Sequence, residues 1–313
     1  MEFPNELRCE IESLLESENK KQLAAAAQGV SLRYRSESGT GKSLVSGRRE
    51  VLAYAAVRMP ATFGAVSRAL QLTLARFGGS INSILDIGAG TGAASFAAYL
   101  QTDCADITCV EREPMMSDIG IRLSAAMGLS VNWQRRDITQ GELGSADLVL
   151  SSYCMNELSD TARVKAVKDL WAAAGKLLLI VDTGTPTGYS QLKQSREILL
   201  AEGAHILAPC PHEGECPLDG DDWCHFTARV ARSRLHKQLK GGDAPYEDEK
   251  FCFIAASRED YGRCAARVLR HPRIDSGRIS LRLCAECGLS EVTVTKKDSR
   301  FKAARKSDGG DEF

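Results

Sequence analysis

Apolar positions along the chain follow three successive patterns. Over residues 1–75 they are helical: Leu7, Ile11, Leu14 and Leu15 fall at helical spacing, and "KKQLAAAAQ" is rich in strong helix formers. "VLAYAAVRMPATFGAVSRALQLTLARFGG" predicts two helical pieces, broken at Pro60 and closed by Gly78-Gly79. From 81 to 182 short apolar runs ("SILDIGA", "ITCVERE", "VNWQRRD", "ADLVLSS", "KLLLIVD") alternate with helical stretches, which predicts a parallel sheet covered on both faces. A helix over about 189–202 follows. After 240, "KFCFIAASR", "GRISLRLC" and "SEVTVTKK" alternate like half-exposed antiparallel strands. The expected organisation is an α/β chain with a helical region at 1–80, a ligand-binding sheet domain at 81–205, a cysteine-rich segment at 206–240 and a small β-rich extension at 241–313.

Composition narrows the class only slightly. With 313 residues, 43% hydrophobic and 26% charged, the chain resembles an ordinary globular protein with a sizeable core. Its longest apolar runs, such as "LLLIV", are far too short to span a bilayer, so no membrane partner is expected. The acidic start "MEFPNELRCEIESLLESENKK" shows no secretory pattern. Eleven cysteines without export point to a reducing compartment, and the odd number argues against a pure disulfide framework. The expected address is the cytoplasm, and the expected state a monomer. Charge changes the picture more. Residues 227–306 carry 19 Lys/Arg against 10 Asp/Glu, while 1–226 carry 21 against 28. A basic C-terminal third on an acidic body suits an anionic partner.

"LDIGAGTGAAS" (85–95) follows a strand and opens a helix, and Gly88, Gly90 and Gly92 let the backbone approach a ligand where a Cβ would clash. Read as G-x-G-x-x-A it matches a dinucleotide fingerprint. Read as D-x-G-x-G-x-G, from Asp86 to Gly92, it resembles motif I of Rossmann-like class I S-adenosylmethionine-dependent methyltransferases. An acid at the start of the loop suits a cofactor with an ammonium and a sulfonium better than a pyrophosphate. Glu111 at the end of the second strand is placed to accept ribose hydroxyls, a feature shared with NAD folds. Asp137 ends the third strand as the adenine-contacting acid of methyltransferases does, and "ADLVLSSYCMNEL" (146–158) resembles their motif IV. Together these favour S-adenosylmethionine. The Asn/Asp-Pro-Pro-aromatic box of exocyclic-amine methyltransferases is missing, Cys154 reads as a buried strand-end thiol rather than a nucleophile, and no catalytic residue is assigned.

"APCPHEGECPLDGDDWCHF" (208–226) places Cys210, Cys216 and Cys224 in a proline-rich polar loop. Thiolates suit zinc or an iron–sulfur cluster, and the spacing leaves both open. A fourth ligand must come from elsewhere: Cys284, Cys287, Cys252, His212 or His225. This segment resembles the signature of the methyltransferase-like proteins of the mitochondrial small ribosomal subunit, a family with bacterial members. The resemblance extends through "YAAVRMPATFGAV", "VDTGTPTGY", "ARSRLHKQLK", "YEDEKFCFI" and "SGRISLRLC", roughly residues 54 to 306. It implies a [4Fe–4S] cluster held by Cys210, Cys216, Cys224 and Cys284, the last tying the basic extension to the sheet domain, with Cys287 an addition. It also implies work in assembly or translation of the small ribosomal subunit, on its rRNA. The basic stretches "RVLRHPRIDSGRISLRL" and "KKDSRFKAARK" fit phosphate contacts with little base stacking. Methyl transfer to that RNA, a non-catalytic assembly role, and small-molecule methylation with a zinc site are the three readings that result.

Overall fold

The computed structural model describes residues 2–36, 45, 47–138 and 141–313. Four helices come first: α1 (Asn5–Leu15), α2 (Lys20–Ser36), α3 (Arg48–Val57) and α4 (Met59–Leu74). Strands and helices then alternate as β1 (Ile84–Ile87), α5 (Ala93–Thr102), β2 (Ile107–Glu111), α6 (Pro114–Ala126), β3 (Asn132–Arg135), β4 (Ala146–Ser152), α7 (Asp160–Ala173), β5 (Ala174–Thr183), α8 (Pro186–Ala201) and β6 (His205–Ala208). The remainder is β7 (Phe226–Ala231), α9 (Arg234–Lys240), β8 (Tyr246–Ser257), β9 (Ala266–Val268), β10 (Arg273–Asp275), β11 (Arg278–Ala285), β12 (Gly288–Thr295) and α10 (Phe301–Lys306).

Local chemistry sets these limits. Pro60 sits in the first turn of α4, where its missing N–H costs nothing, so one residue ends α3 and starts α4. Ser159 and Thr185 cap α7 and α8 by accepting the N–H groups of Ala162 and Gly188. Strands β1, β4 and β5 are apolar runs buried along nearly their whole length, as strands covered on both faces must be.

The main sheet runs β3-β2-β1-β4-β5-β8-β6, with β7 also paired to β8. Strands β1 to β5 are parallel, and β8 runs antiparallel to β5, β6 and β7. The parallel part is the sheet covered on both faces that the alternation predicts, and its strand order is Rossmann-like, as the motif resemblance implies. Its order reverses at β1, between β2 and β4, so the loops leaving β1 and β4 diverge and open a crevice at their carboxyl ends. One face packs Phe63, Phe96, Leu148 and Phe253, and the other Val149, Val167, Trp171 and Leu178. Helix α4 crosses β7 so closely that a Cβ on Gly64 would lie 2.6 Å from Val230 Cγ2. Among the described residues no helix is long and apolar enough to cross a membrane.

The C-terminal extension forms a second sheet, β10-β11-β12 with β9 on β11, around a small core of Val268, Ile279, Leu281, Val294 and Ala304. It starts later than the alternation predicted. Residues 246–257, expected in the extension, form β8 of the main sheet. The physical reason is burial on both sides: every residue from Phe251 to Ser257 is buried, so "FCFIAAS" is an interior strand rather than a half-exposed one.

Candidate functional site

At the end of β1 the chain turns through Gly88, Gly90 and Gly92, with φ of 71°, 57° and 89°. Residues with a Cβ rarely adopt these values. Crowding adds to the demand at Gly88, where a Cβ would lie 2.6 Å from Cys154 Sγ. Gly90 differs: the nearest described atom to such a Cβ is Tyr54 Oη at 3.8 Å, so bare backbone faces open space. Asp86 is buried beneath the loop. Its Oδ2 accepts Ser95 N–H (3.1 Å) and Ser95 Oγ–H (2.7 Å), while Oδ1 is buried with no partner among the described residues. Burial pushes its pKa up to about 6. Glu111 accepts the N–H of Gly90 on Oε2 and that of Glu113 on Oε1, both at 2.8 Å, and burial raises its pKa too. Asp137 follows β3 by two residues and is half-buried. Because β1, β2 and β3 are parallel, all six predicted cofactor residues lie at one end of the sheet.

Across the crevice, β4 leads into Tyr153 (φ 55°), Cys154 and a short 3-10 turn, Met155–Glu157. Burial pushes the Cys154 thiol well above its ordinary pKa, which disfavours the thiolate. Burial also raises Glu157 to about 7, with Arg112 Nη2 3.6 Å away, and raises Asp182 at the end of β5 to about 7. Tyr153 donates to Glu249 Oε1 at 2.9 Å, and Arg58 holds both oxygens of that carboxylate at 3.1 and 3.2 Å. A cavity of about 500 Å³ opens here, lined among others by Tyr54, Arg58, Tyr153, Asn156, Thr183 and Lys240. Spacing arguments missed the Arg58–Glu249–Tyr153 group, whose members are separated by up to 191 positions.

Another, smaller cavity, of about 40 Å³, is lined by Cys210, Cys216, Cys224 and Cys284 among others. The first three come from the loop at 209–225 and the fourth from β11. Tyr189 Oη lies 3.1 Å from Cys216 Sγ, and His212 Nε2 3.7 Å from Cys284 Sγ. Burial and then neighbouring thiols push Cys224 well above its ordinary pKa and Cys284 up to about 12; burial raises Cys210. Cys252 also lines the cavity, but its thiol donates to Thr183 O at 3.1 Å. Cys287 is exposed, and neither it nor His225 lines the cavity. The loop is tied on both sides: Trp223 Nε1 donates to Gly184 O (2.9 Å), and Arg270 and Arg282 pair with Asp222 at 2.6 and 2.5 Å. Among the described residues no three His, Cys, Asp or Glu are gathered as one metal ion requires.

A family model described as mitochondrial small ribosomal subunit Rsm22 matches residues 48–313. The chain belongs to the Rsm22 family. Human METTL17, named a mitochondrial ribosome assembly protein, is 26% identical over 289 residues, which cover 83% of this chain and 61% of METTL17. The mitochondrial Rsm22-cox11 tandem protein 2 of Schizosaccharomyces pombe is 28% identical over 193 residues, 54% of this chain and 26% of that protein. This Rsm22-family chain thus spans about three fifths of METTL17 and about a quarter of the tandem protein. Among solved structures, the plantazolicin methyltransferase BpumL in complex with SAH has a TM-score of 0.45 at 15% identity, covering 77% of this chain and 98% of BpumL. Magnesium protoporphyrin IX methyltransferase (ChlM) from Synechocystis PCC 6803 with bound SAM has a TM-score of 0.42 at 15% identity, covering 72% and 90%. Likeness at that level says nothing of ligand or reaction.

The family and both relatives are described as mitochondrial, which overturns the cytoplasmic address expected above. Cysteine content and a missing secretory pattern speak for a reducing compartment, and they do not separate one such compartment from another.

Proposed function

We propose that this Rsm22-family chain acts in assembly or translation of the small ribosomal subunit, as a protein that binds S-adenosylmethionine and a [4Fe–4S] cluster and docks on the subunit's rRNA. One observation carries the reading: strand β11 bears Cys284 in the cysteine cavity at one end and Arg278 on a basic surface at the other. On that surface Arg278, Lys296, Lys297, Lys302, Arg305 and Lys306 are exposed and make no ion pair among the described residues. Cations without a protein partner are available to phosphates, and each phosphate neutralised releases counterions.

The residues present fit both groups. Asp86 Oδ1, buried and without a partner, suits an ammonium, and the Glu111 oxygens keep lone pairs for two ribose hydroxyls. Bound S-adenosylmethionine would supply an electrophilic methyl group. Cys210, Cys216, Cys224 and Cys284 would hold the cluster, losing their protons to it. Four thiols line one cavity, a soft donor set that suits an iron–sulfur cluster or zinc, and the cluster is what the family resemblance implies. Protein purified without oxygen should be brown with a broad band near ~400 nm, and stripping the metal should weaken binding to small-subunit rRNA at one fixed salt concentration. Colourless protein with full RNA affinity would end this reading.

A second reading, methyl transfer to that RNA, is favoured by Glu157, a carboxyl with a pKa of about 7 near the glycine loop. A group that titrates near working pH suits proton removal from an acceptor. Turnover with small-subunit rRNA, lost in Glu157→Gln while S-adenosylmethionine affinity holds, is the expected result.

A further inference from the structure

Two arginines belong to the cysteine cavity, and their chemistry is not that of ordinary core residues. Arg196, on α8, and Arg267, on β9, both line it and are 5% and 1% exposed. Each guanidinium uses part of its donor set to hold backbone around the cysteine loop. Arg196 Nη2 donates to His212 O (2.9 Å) and Gly214 O (2.8 Å), between Cys210 and Cys216. Arg267 donates from Nε to Pro209 O (2.7 Å), beside Cys210, and from Nη1 to Gly310 O (2.8 Å). Each also keeps a buried nitrogen without a hydrogen bond among the described residues: Nε of Arg196 and Nη2 of Arg267.

Such an arrangement is costly as it stands. A guanidinium cannot shed its proton in a protein, and a buried charge that is poorly compensated is destabilising. The surroundings supply little compensation. Lys193 and His212 also line the cavity, and no Asp or Glu does. Arg267 has an ion pair with Glu312, whose Oε1 stands 3.7 Å from Nη2, outside hydrogen-bond reach, and whose carboxylate is shared with Arg76. Besides the Tyr189 phenol, the groups there able to become anions are the thiols, and they do so when metal displaces their protons. Four thiolates around a [4Fe–4S] core carry a net charge of about −2, which two guanidiniums cancel.

We infer that Arg196 and Arg267 are the charge-compensating and positioning residues of the cysteine site: they hold its loop by the backbone and neutralise the anionic thiolate–cluster assembly from two sides. The inference rests on the cluster reading above. It accounts for both orphaned nitrogens and for the absence of acids from the lining.

The test uses the full chain, purified or reconstituted without oxygen, as wild type and as Arg196→Met, Arg196→Lys, Arg267→Met and Arg267→Lys. The readouts are iron and sulfide per chain and the midpoint potential from an anaerobic spectroscopic titration. Removing one nearby positive charge disfavours the reduced, more negative cluster. Each Met variant should therefore lose about tenfold in reduced-to-oxidised ratio at fixed poise, or ~59 mV for one electron, while the Lys variants stay near wild type. Loss of iron in the Met variants with retention in the Lys variants would also support charge compensation. Full iron with an unchanged potential in both Met variants would overturn this inference and leave the cluster intact. Equal loss of iron in the Met and Lys variants would overturn it too, showing that only the backbone contacts matter. Wild-type protein without iron would overturn the cluster reading and this inference together.

Discussion

Two sites of this protein, the glycine loop and the cysteine cavity, are opposites in construction. Around the glycine loop stand acids whose pKa values burial has raised, Asp86, Glu111, Glu157 and Asp182, while the cavity of about 500 Å³ beside it is lined by Arg58, Arg232 and Lys240 among others and, among the described residues, by no acid. The cysteine cavity is tight, about 40 Å³, and lined by cations and thiols with no acid. Bare backbone forms the first site, through three glycines at positive φ, whereas side chains from α8, β8, β9, β11 and one loop converge to form the second. Acids around the glycine loop favour a cationic group there, whereas the cations and the lack of acids in the lining of the cysteine cavity favour an anionic one. Both sites back onto the end of β5: Asp182 sits at its tip, the Cys252 thiol donates to Thr183 O, and Trp223 donates to Gly184 O.

Cysteine substitution should produce the sharpest break between the sites. Serine at Cys210, Cys216, Cys224 or Cys284 is expected to remove essentially all iron and lower stability, because the loop at 209–225 has no helix or strand of its own. Cys104→Ser and Cys264→Ser, away from the cavity lining, should keep the metal. Metal analysis showing full iron in Cys284→Ser would move the fourth ligand elsewhere. S-adenosylmethionine binding should survive these changes better than RNA binding does, since a freed extension must lose conformational freedom on docking.

On the other side, Gly90→Leu should abolish S-adenosylmethionine binding by calorimetry. A side chain there is strained at φ 57° and would fill the open space over the loop. Iron content should be unchanged, and loss of iron in this variant would show that the two sites fold as one. Glu111→Ala removes an acceptor of charge-assisted hydrogen bonds, each contributing about 1.5–3 kcal/mol, so affinity should fall by at least ~tenfold.

The smallest expected effect is a pH dependence of opposite sign in two measurements. Burial raises Asp86 from 3.8 to about 6 in the folded chain. The folded state therefore takes up this proton first, and the ligand-free protein gains stability from it as pH falls from about 6 towards 3.8. Affinity for a cationic cofactor should fall over the same window, by about tenfold one unit below the folded value. A flat affinity between pH 5 and 7 in calorimetry, on the order of this window, would place the ammonium away from Asp86.

Much of the architecture was legible because it is written in local spacing. The break at Pro60, the βα alternation from 81 to 182 and the turn at Gly88, Gly90 and Gly92 each depend on residues within a few positions of one another, where backbone sterics and side-chain period decide. The three loop cysteines stand out for the same reason: nothing in core packing asks for that composition. Strand β8 belongs to the main sheet although "KFCFIAASR" reads like a half-exposed strand, because only the pairing of distant strands buries Phe251 to Ser257 on both faces. Arg196 in "SREILL" and Arg267 in "AARVL" look like any helix or strand cation. Glu249 lies 191 positions from Arg58 and 96 from Tyr153. Sequence by itself therefore determined the elements, the glycine turn and the supply of thiols. Tertiary structure alone decided which buried charges face one another, because that depends on the order in which strands pair, and strand pairing joins residues that no local period connects.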